Sequence, residues 1–409
     1  MDLPELLVPA GTLEKLKVAV AYGADAVYLG GPNYGLRKKA GNFSLDEIEE
    51  GVEFAHQRGV KVYLTLNIIP HNEDLDGLDG YISSVVPTGI DAVIVADPGI
   101  FSIVQEVAPE LDIHISTQAN NTNWSSAQFW KDQGASRVIL ARELSLEEIT
   151  EIDNKVDISL ESFVHGAMCI SYSGRCLLSN YMIDRDSNRG NCAHSCRWQY
   201  SLMEEQRPGE YYPVEEDERG TYIFNSKDLC MVEHIPKLVA SGLDSLKIEG
   251  RMKSLHYVAT VTNVYRRALD QYQQAGAEYS FRDEWLAELK KISHRHYTTG
   301  FYFDYPGGSE QNYETSGYAR DYDFMGVVHG YDANNETATI EVRNKFFKGD
   351  QVEIFGPQTE TFSQAIDYMA NEEGLEIDEA PHPKQLITVE VDNAVNKYDL
   401  VRRKKEMEE

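Results

Sequence analysis

Five cysteines are the residues of this chain whose type and spacing most directly imply chemistry. They stand at Cys169, Cys176, Cys192, Cys196 and Cys230, interleaved with Gly166, Gly174, Gly190 and several arginines, and the rest of the 409 residues contain none. Thiols grouped in this way can form disulfides, bind zinc or hold an iron–sulfur cluster. Disulfides fit least, because the count is odd and no secretory leader precedes Met1-Asp2-Leu3-Pro4. Structural zinc favours paired Cys-x2-4-Cys knuckles, and only Cys192-x3-Cys196 approaches that spacing. A 4Fe–4S cluster needs four thiolates, tolerates irregular loop spacing and uses nearby glycines for close backbone approach. The residues alone favour the cluster over zinc and leave both open, with buried structural cysteines as the plain alternative.

The surrounding residues resemble a known family. Glu161-Ser-Phe-Val-His-Gly-Ala-Met-Cys169, Ser173-Gly-Arg-Cys176-Leu-Leu-Ser179 and Asn188-Arg-Gly-Asn-Cys192-Ala-His-Ser-Cys196-Arg-Trp198 are similar to the signature of the U32 peptidases. Leu7-Val-Pro-Ala-Gly11, Asn225-Ser-Lys-Asp-Leu-Cys230 and Ser245-Leu-Lys-Ile-Glu-Gly-Arg251 extend that resemblance over nearly the whole chain. Within the family the chain is most like the bacterial prephenate-dependent tRNA hydroxylases, which make 5-hydroxyuridine at the wobble position. The resemblance implies a 4Fe–4S cluster on Cys169, Cys176, Cys192 and Cys230, with Cys196 as a reserve ligand. It also implies tRNA and prephenate as partners, and a homologous U32 subunit as a further one, since related members work as heterodimers. Collagenase-like peptidase activity is the runner-up, although the chain has no His-Glu-x-x-His helix and no Gly-x-Ser-x-Gly elbow. A non-catalytic RNA-binding scaffold is the third reading.

The elements that must position these residues follow a βα rhythm. Short β-branched runs at 5–8, 26–29, 60–68, 92–96, 112–116, 137–141, 157–163 and 245–248 read as eight strands, nearly all followed by amphipathic segments. Ser44-Leu-Asp-Glu47 and Ser145-Leu-Glu-Glu148 have the spacing of capping boxes at helix starts. The expectation is an α/β fold, a (β/α)8 TIM-like barrel over residues 1–275, interrupted by a polar excursion at about 200–222. A polar, aromatic connector occupies 276–320, and alternating runs over 321–409 predict a small antiparallel β-barrel. Gly30-Gly-Pro-Asn-Tyr-Gly35 lacks the dinucleotide fingerprint and reads as an ordinary barrel loop.

Barrel chemistry belongs at the C-terminal ends of the strands. That places the cysteine stretch, Asn67, Gln118, Asn120, Arg142 and Glu249-Gly-Arg251 near one mouth, with Glu161 and His165 at the end of the seventh strand, and makes Glu161, His165, Arg142 and Arg251 the catalytic candidates. Prephenate carries two carboxylates, each suited to an arginine fork, so Arg142 and Arg251 are the expected clamp. Pairing of each arginine with Glu143 or Glu249 is the structural alternative. His165 is an acid/base candidate or an orienting donor, and His294 and His296 face either RNA phosphate or their own connector.

Composition bounds the partners. The chain carries 67 acidic against 38 basic residues, a formal charge of −29, which excludes a generally basic nucleic-acid surface. RNA binding must then use local patches, the candidates being Arg37-Lys38-Lys39, Arg185 with Arg189 and Arg197, Arg251 with Lys253, and Arg402-Arg403-Lys404-Lys405. Taken singly, each short charge run reads as solvated surface. The longest apolar runs are far too short to span a bilayer, so a soluble, cytoplasmic protein is expected.

Overall fold

The computed structural model describes residues 3–36, 42–169, 171–197, 216–217, 220–221, 227–304 and 320–405. Eight short parallel strands form its first layer: β1 (Glu5–Pro9), β2 (Ala26–Leu29), β3 (Lys61–Leu66), β4 (Ala92–Val95), β5 (Asp112–Ile115), β6 (Arg137–Ile139), β7 (Ser159–Ala167) and β8 (Ser245–Ile248). They pair in chain order, and β8 bonds to both β1 and β7, so the sheet closes on itself. Strands covered on both faces should be nearly continuous in apolar residues. Ala26–Leu29 and Ala92–Val95 are buried throughout.

Eight helices surround the ring: α1 (Leu13–Ala21), α2 (Leu45–His56), α3 (Leu78–Val85), α4 (Pro98–Val107), α5 (Trp124–Gln133), α6 (Leu146–Lys155), α7 (Ile235–Ala240) and α8 (Leu255–Ala275). Both expected capping boxes are present, Ser44 with Glu47 and Ser145 with Glu148. This is the (β/α)8 barrel that the alternation predicts. No helix among the described residues is long and apolar enough to cross a membrane.

The seventh strand runs four residues past the sequence boundary at Phe163, to Ala167, because a remote partner extends it. Beyond the parallel seam, Asp228–Cys230 pairs antiparallel with His165–Ala167, and Tyr297–Thr298 adds on its far side. The excursion expected at 200–222 lies outside the described residues, apart from two paired dipeptides at 216–217 and 220–221. The connector contains a helix, Asp283–Leu289, that the polar composition hid.

The C-terminal region is a seven-stranded antiparallel sheet curled into a half-barrel. Its strands are β9 (Tyr322–Asp332), β10 (Thr337–Val342), β11 (Gln351–Phe355), β12 (Phe362–Ala365), β13 (Met369–Ala370), β14 (Leu386–Glu390) and β15 (Leu400–Lys404), in the order β12-β11-β15-β9-β10-β14-β13. Met325, Ile340, Phe346 and Ile354 fill its own core. A separate apolar cluster joins it to the barrel, with Val18, Tyr22 and Leu255 meeting Val327, Phe355 and Leu400. Tyr22 donates to the Tyr398 carbonyl at 3.0 Å across that seam. Arg402, one of the residues in the C-terminal basic run, is fully buried between Glu288 at 2.8 Å and Glu353 at 2.7 Å. Arg403 is engaged by Asp350 at 2.6 Å. That part of the run is therefore structural rather than a phosphate surface.

Candidate functional site

The loops after β3, β5, β6, β7 and β8 enclose a cavity of about 740 Å³ at the C-terminal mouth of the barrel. Its charged lining is lopsided. Among the described residues Arg142, Lys247, Arg251, Lys253, Arg295 and Arg320 line it, against the single acid Glu249. In a chain of net charge −29, this reverses the sign of the molecule locally, and a low-dielectric cleft lined by one sign of charge concentrates ligands of the other.

The cysteine stretch forms one wall. Cys169, Cys176, Cys192 and Cys196 all line the cavity. Their loop is pinned to the barrel rim at several points. Ile69 N–H donates to Asn188 O at 3.0 Å, Asn120 Nδ2 to Ser173 O at 2.8 Å, and Arg189 bridges Glu73 and Asp74 at 2.7 Å each. Inside the loop, Ser187 Oγ and Asn188 Nδ2 both donate to the Cys176 carbonyl, at 2.7 and 3.3 Å. Cys192 Sγ accepts from His194 N–H at 3.4 Å and from Ser179 Oγ at 3.9 Å.

All five thiols are free of disulfides. Among the described residues no three His, Cys, Asp or Glu side chains are already gathered at metal-binding distance. The donor chemistry still fits an iron–sulfur cluster: four sulfurs share one cavity wall, on a loop whose Gly174 and Gly190 take positive φ. Cys230 is placed elsewhere. It sits opposite His165 on the antiparallel extension of β7, buried beside the Tyr265 hydroxyl, and burial pushes its thiol up to about 12.

Arg142 and Arg251 are brought together on this cavity. Arg142 lies 3.8 Å over the Phe163 ring and donates to Ser173 Oγ at 3.2 Å. Arg251 donates to Thr65 Oγ1 at 2.9 Å, and its guanidinium fits because residue 30 is glycine: a Cβ there would come within 2.5 Å of Nη1. The loop 30–35 is thus packed around an arginine. Asn67 and Gln118 line the same cavity, and Asn67 Oδ1 and Gln118 Oε1 are buried acceptors with no hydrogen bond among the described residues. Buried acceptors of that kind suit a donor-bearing ligand.

Glu161 and His165 are placed off the cavity. Glu161 is fully buried beneath it, with Oε1 2.6 Å from Lys247 Nζ and Oε2 3.2 Å from Arg137. Arg137 continues to Glu5 at 2.6 Å, and Glu5 accepts from Tyr63 and Ser245. Burial lowers the Lys247 pKa, and Glu161 offsets that. The His165 ring stands among Tyr257, Tyr265 and Tyr297, with centroids 5.9, 5.5 and 5.5 Å away. Burial, with Lys253 adding to it, brings this histidine down to about 3, so it is neutral. His294 stacks on Tyr297 and donates Nδ1–H to Ile292 O, inside the connector.

Sequence reasoning missed Lys247, Arg295 and Arg320 as cavity residues. Lys247 had a usable signal: a charge in the middle of an apolar strand, two residues before Glu249 and on the inward face that Ser245 shares. Arg37-Lys38-Lys39 and the side chain of Arg197 lie outside the described residues.

Comparison with known proteins agrees with the motifs. The sequence pattern of peptidase family U32 matches residues 11–312, and that of the U32 C-terminal domain matches 320–402. The chain is 48% identical to tRNA hydroxylation protein P1 of Bacillus subtilis, over 98% of this chain and 95% of that protein. It is 42% identical to tRNA hydroxylation protein P of Escherichia coli, over 93% and 92%. A 23S rRNA 5-hydroxycytidine C2501 synthase of the same organism matches at 39% over 65% of this chain and 39% of its own length. With both its barrel and its C-terminal sheet covered, the chain belongs to peptidase family U32.

Proposed function

We propose that this protein hydroxylates RNA and, more narrowly, converts wobble uridine in tRNA to 5-hydroxyuridine with prephenate as co-substrate and a 4Fe–4S cluster as cofactor. The observation that carries this reading is the mouth cavity, where sulfur donors and cations line one space in an otherwise acidic molecule. The relatives named for tRNA and rRNA hydroxylation supply the substrate class. A volume of about 740 Å³ lies in the usual range for small-molecule sites, roughly 300–1,000 Å³.

Each residue then has a task. Arg142 and Arg251 clamp the two carboxylates of prephenate, with the fixed fork of each guanidinium setting the orientation. Asn67 and Gln118 accept hydrogen bonds from ligand hydroxyl or imide N–H groups. Phe163, under Arg142, closes the floor against water. Cys169, Cys176 and Cys192 hold the cluster with a fourth thiolate, either Cys230, as the family pattern implies, or Cys196, which shares their cavity. A thiolate-held cluster supplies one-electron transfer when bound. The protein works in the cytoplasm, where its tRNA is, and a homologous U32 subunit is its proposed partner.

The deciding experiment is mass spectrometry of tRNA nucleosides from a deletion strain carrying the wild-type gene or Arg142→Lys, Arg251→Lys, Cys196→Ser or Cys230→Ser, alongside iron and sulfide analysis of anaerobically purified protein. The wild type restores 5-hydroxyuridine, either arginine variant weakens its dependence on prephenate, and one of the two serine variants loses iron while the other keeps it. Colourless wild-type protein with stoichiometric zinc, or gelatin hydrolysis with unchanged tRNA, would replace this reading with a zinc or a peptidase one.

A further inference from the structure

Twelve large apolar side chains stand exposed among the described residues, and five of them, Tyr172, Leu177, Tyr181, Met182 and Met252, fall on the two segments that build the cavity mouth. Scattered exposed apolar residues need no explanation, but four within eleven residues, with a fifth in another loop at the same mouth, are a concentration that does. Tyr172 and Met252 are 46% and 51% exposed while also lining the cavity, so they stand at its lip. Lys253 and Arg320 line the same opening, and Arg175 is exposed beside Tyr172. A protein interface tends to exclude charge from its apolar centre. Flat aromatic and thioether faces interleaved with cations match single-stranded nucleic acid instead, whose bases stack and whose phosphates pair. A base that enters a barrel mouth must first leave its own stack, which leaves its neighbours in need of new faces.

We propose that Tyr172 and Met252 form a grip for a single-stranded RNA loop, stacking on the nucleotides that flank the inserted base, while Lys253 and Arg320 hold their phosphates. This rests on the RNA reading above and names the surface that reading requires. The rim selects unpaired RNA, because a duplex offers it no free base faces.

The test is fluorescence anisotropy of a labelled anticodon stem–loop RNA with anaerobically purified full-length protein, over a series of salt concentrations. Tyr172→Ala weakens binding about tenfold or more, and Tyr172→Trp retains it, as expected for stacking. Arg320→Ala lowers the slope of log affinity against log salt by about 0.7, the value for one phosphate of a single strand. Melting temperatures of all three stay at the wild-type value, which separates binding from folding. If the wild type binds the RNA and every variant binds it with the same affinity and slope, the grip is wrong and the RNA reading stands. If the wild type does not bind the RNA, both fall. If Tyr172→Ala keeps its RNA affinity but loses association with a second U32 subunit in sedimentation, the rim is a protein interface and the proposal is overturned.

Discussion

Glu161 is fully buried, and Lys247 and Arg137 meet both of its oxygens. Removing one partner of a buried pair leaves the others uncompensated, which costs about 3–5 kcal/mol. Glu161→Gln is therefore expected to lower the urea midpoint by that amount of stability, and Glu161→Leu combined with Lys247→Met to lose less than the two single variants together. Chemical denaturation of the double-mutant cycle checks this. The sequence showed that Glu161 ends a strand beside the cysteines, which made it a catalytic candidate. It could not show that a lysine 86 residues away occupies its carboxylate. Arg142 and Arg251 were legible for the opposite reason: each stands within three residues of the end of a recognisable strand, so the barrel rule alone places it at the mouth.

At the scale of elements, ring closure depends on the seam where β7 meets β8. Gly166 sits there with φ +106°, and a Cβ would stand 2.6 Å from the Glu249 carbonyl oxygen. Gly166→Ala combines that clash with a backbone conformation alanine rarely adopts, and is expected to cost about 1–3 kcal/mol. The cap at Ser145 is a milder control, since Ser145→Ala removes a capping box worth about 1 kcal/mol. Thermal unfolding of both variants gives the comparison, and equal losses would sink the claim that the seam is strained by a side chain. The barrel strands and capping boxes were readable because they are local: a run of β-branched residues, or a serine three residues before a glutamate. The extension of β7 to Ala167 was not, because it exists only through Asp228–Cys230, more than sixty residues later.

For the molecule as a whole, the joint between barrel and C-terminal sheet is sensitive to acid. His256, near the start of α8, stacks on Phe324 at 5.7 Å, and burial, with Arg402 and Lys291 adding to it, brings it down to about 3. The folded state then binds fewer protons than the unfolded one between that value and the ordinary histidine value near 6.5. Stability is present in full above about 6.5 and falls by roughly 1.4 kcal/mol per pH unit as the pH drops below it. His256→Gln should make the acid-side slope shallower by about one proton, read from denaturation midpoints between pH 6.5 and 4. An unchanged slope would mean that His256 is solvated. The alternating texture after Phe324 announced this sheet, but not its strand order. β15 comes last in the chain and lies in the middle of its sheet, between β11 and β9, where its Arg402 also reaches the helix Asp283–Leu289. A ribosome must therefore release residues 400–404 before the pair β11–β12 can be joined to β9 and β10. Until then the emerging sheet has two raw inner edges, and loss of residues 400–404 would disable the domain as surely as a break in its centre.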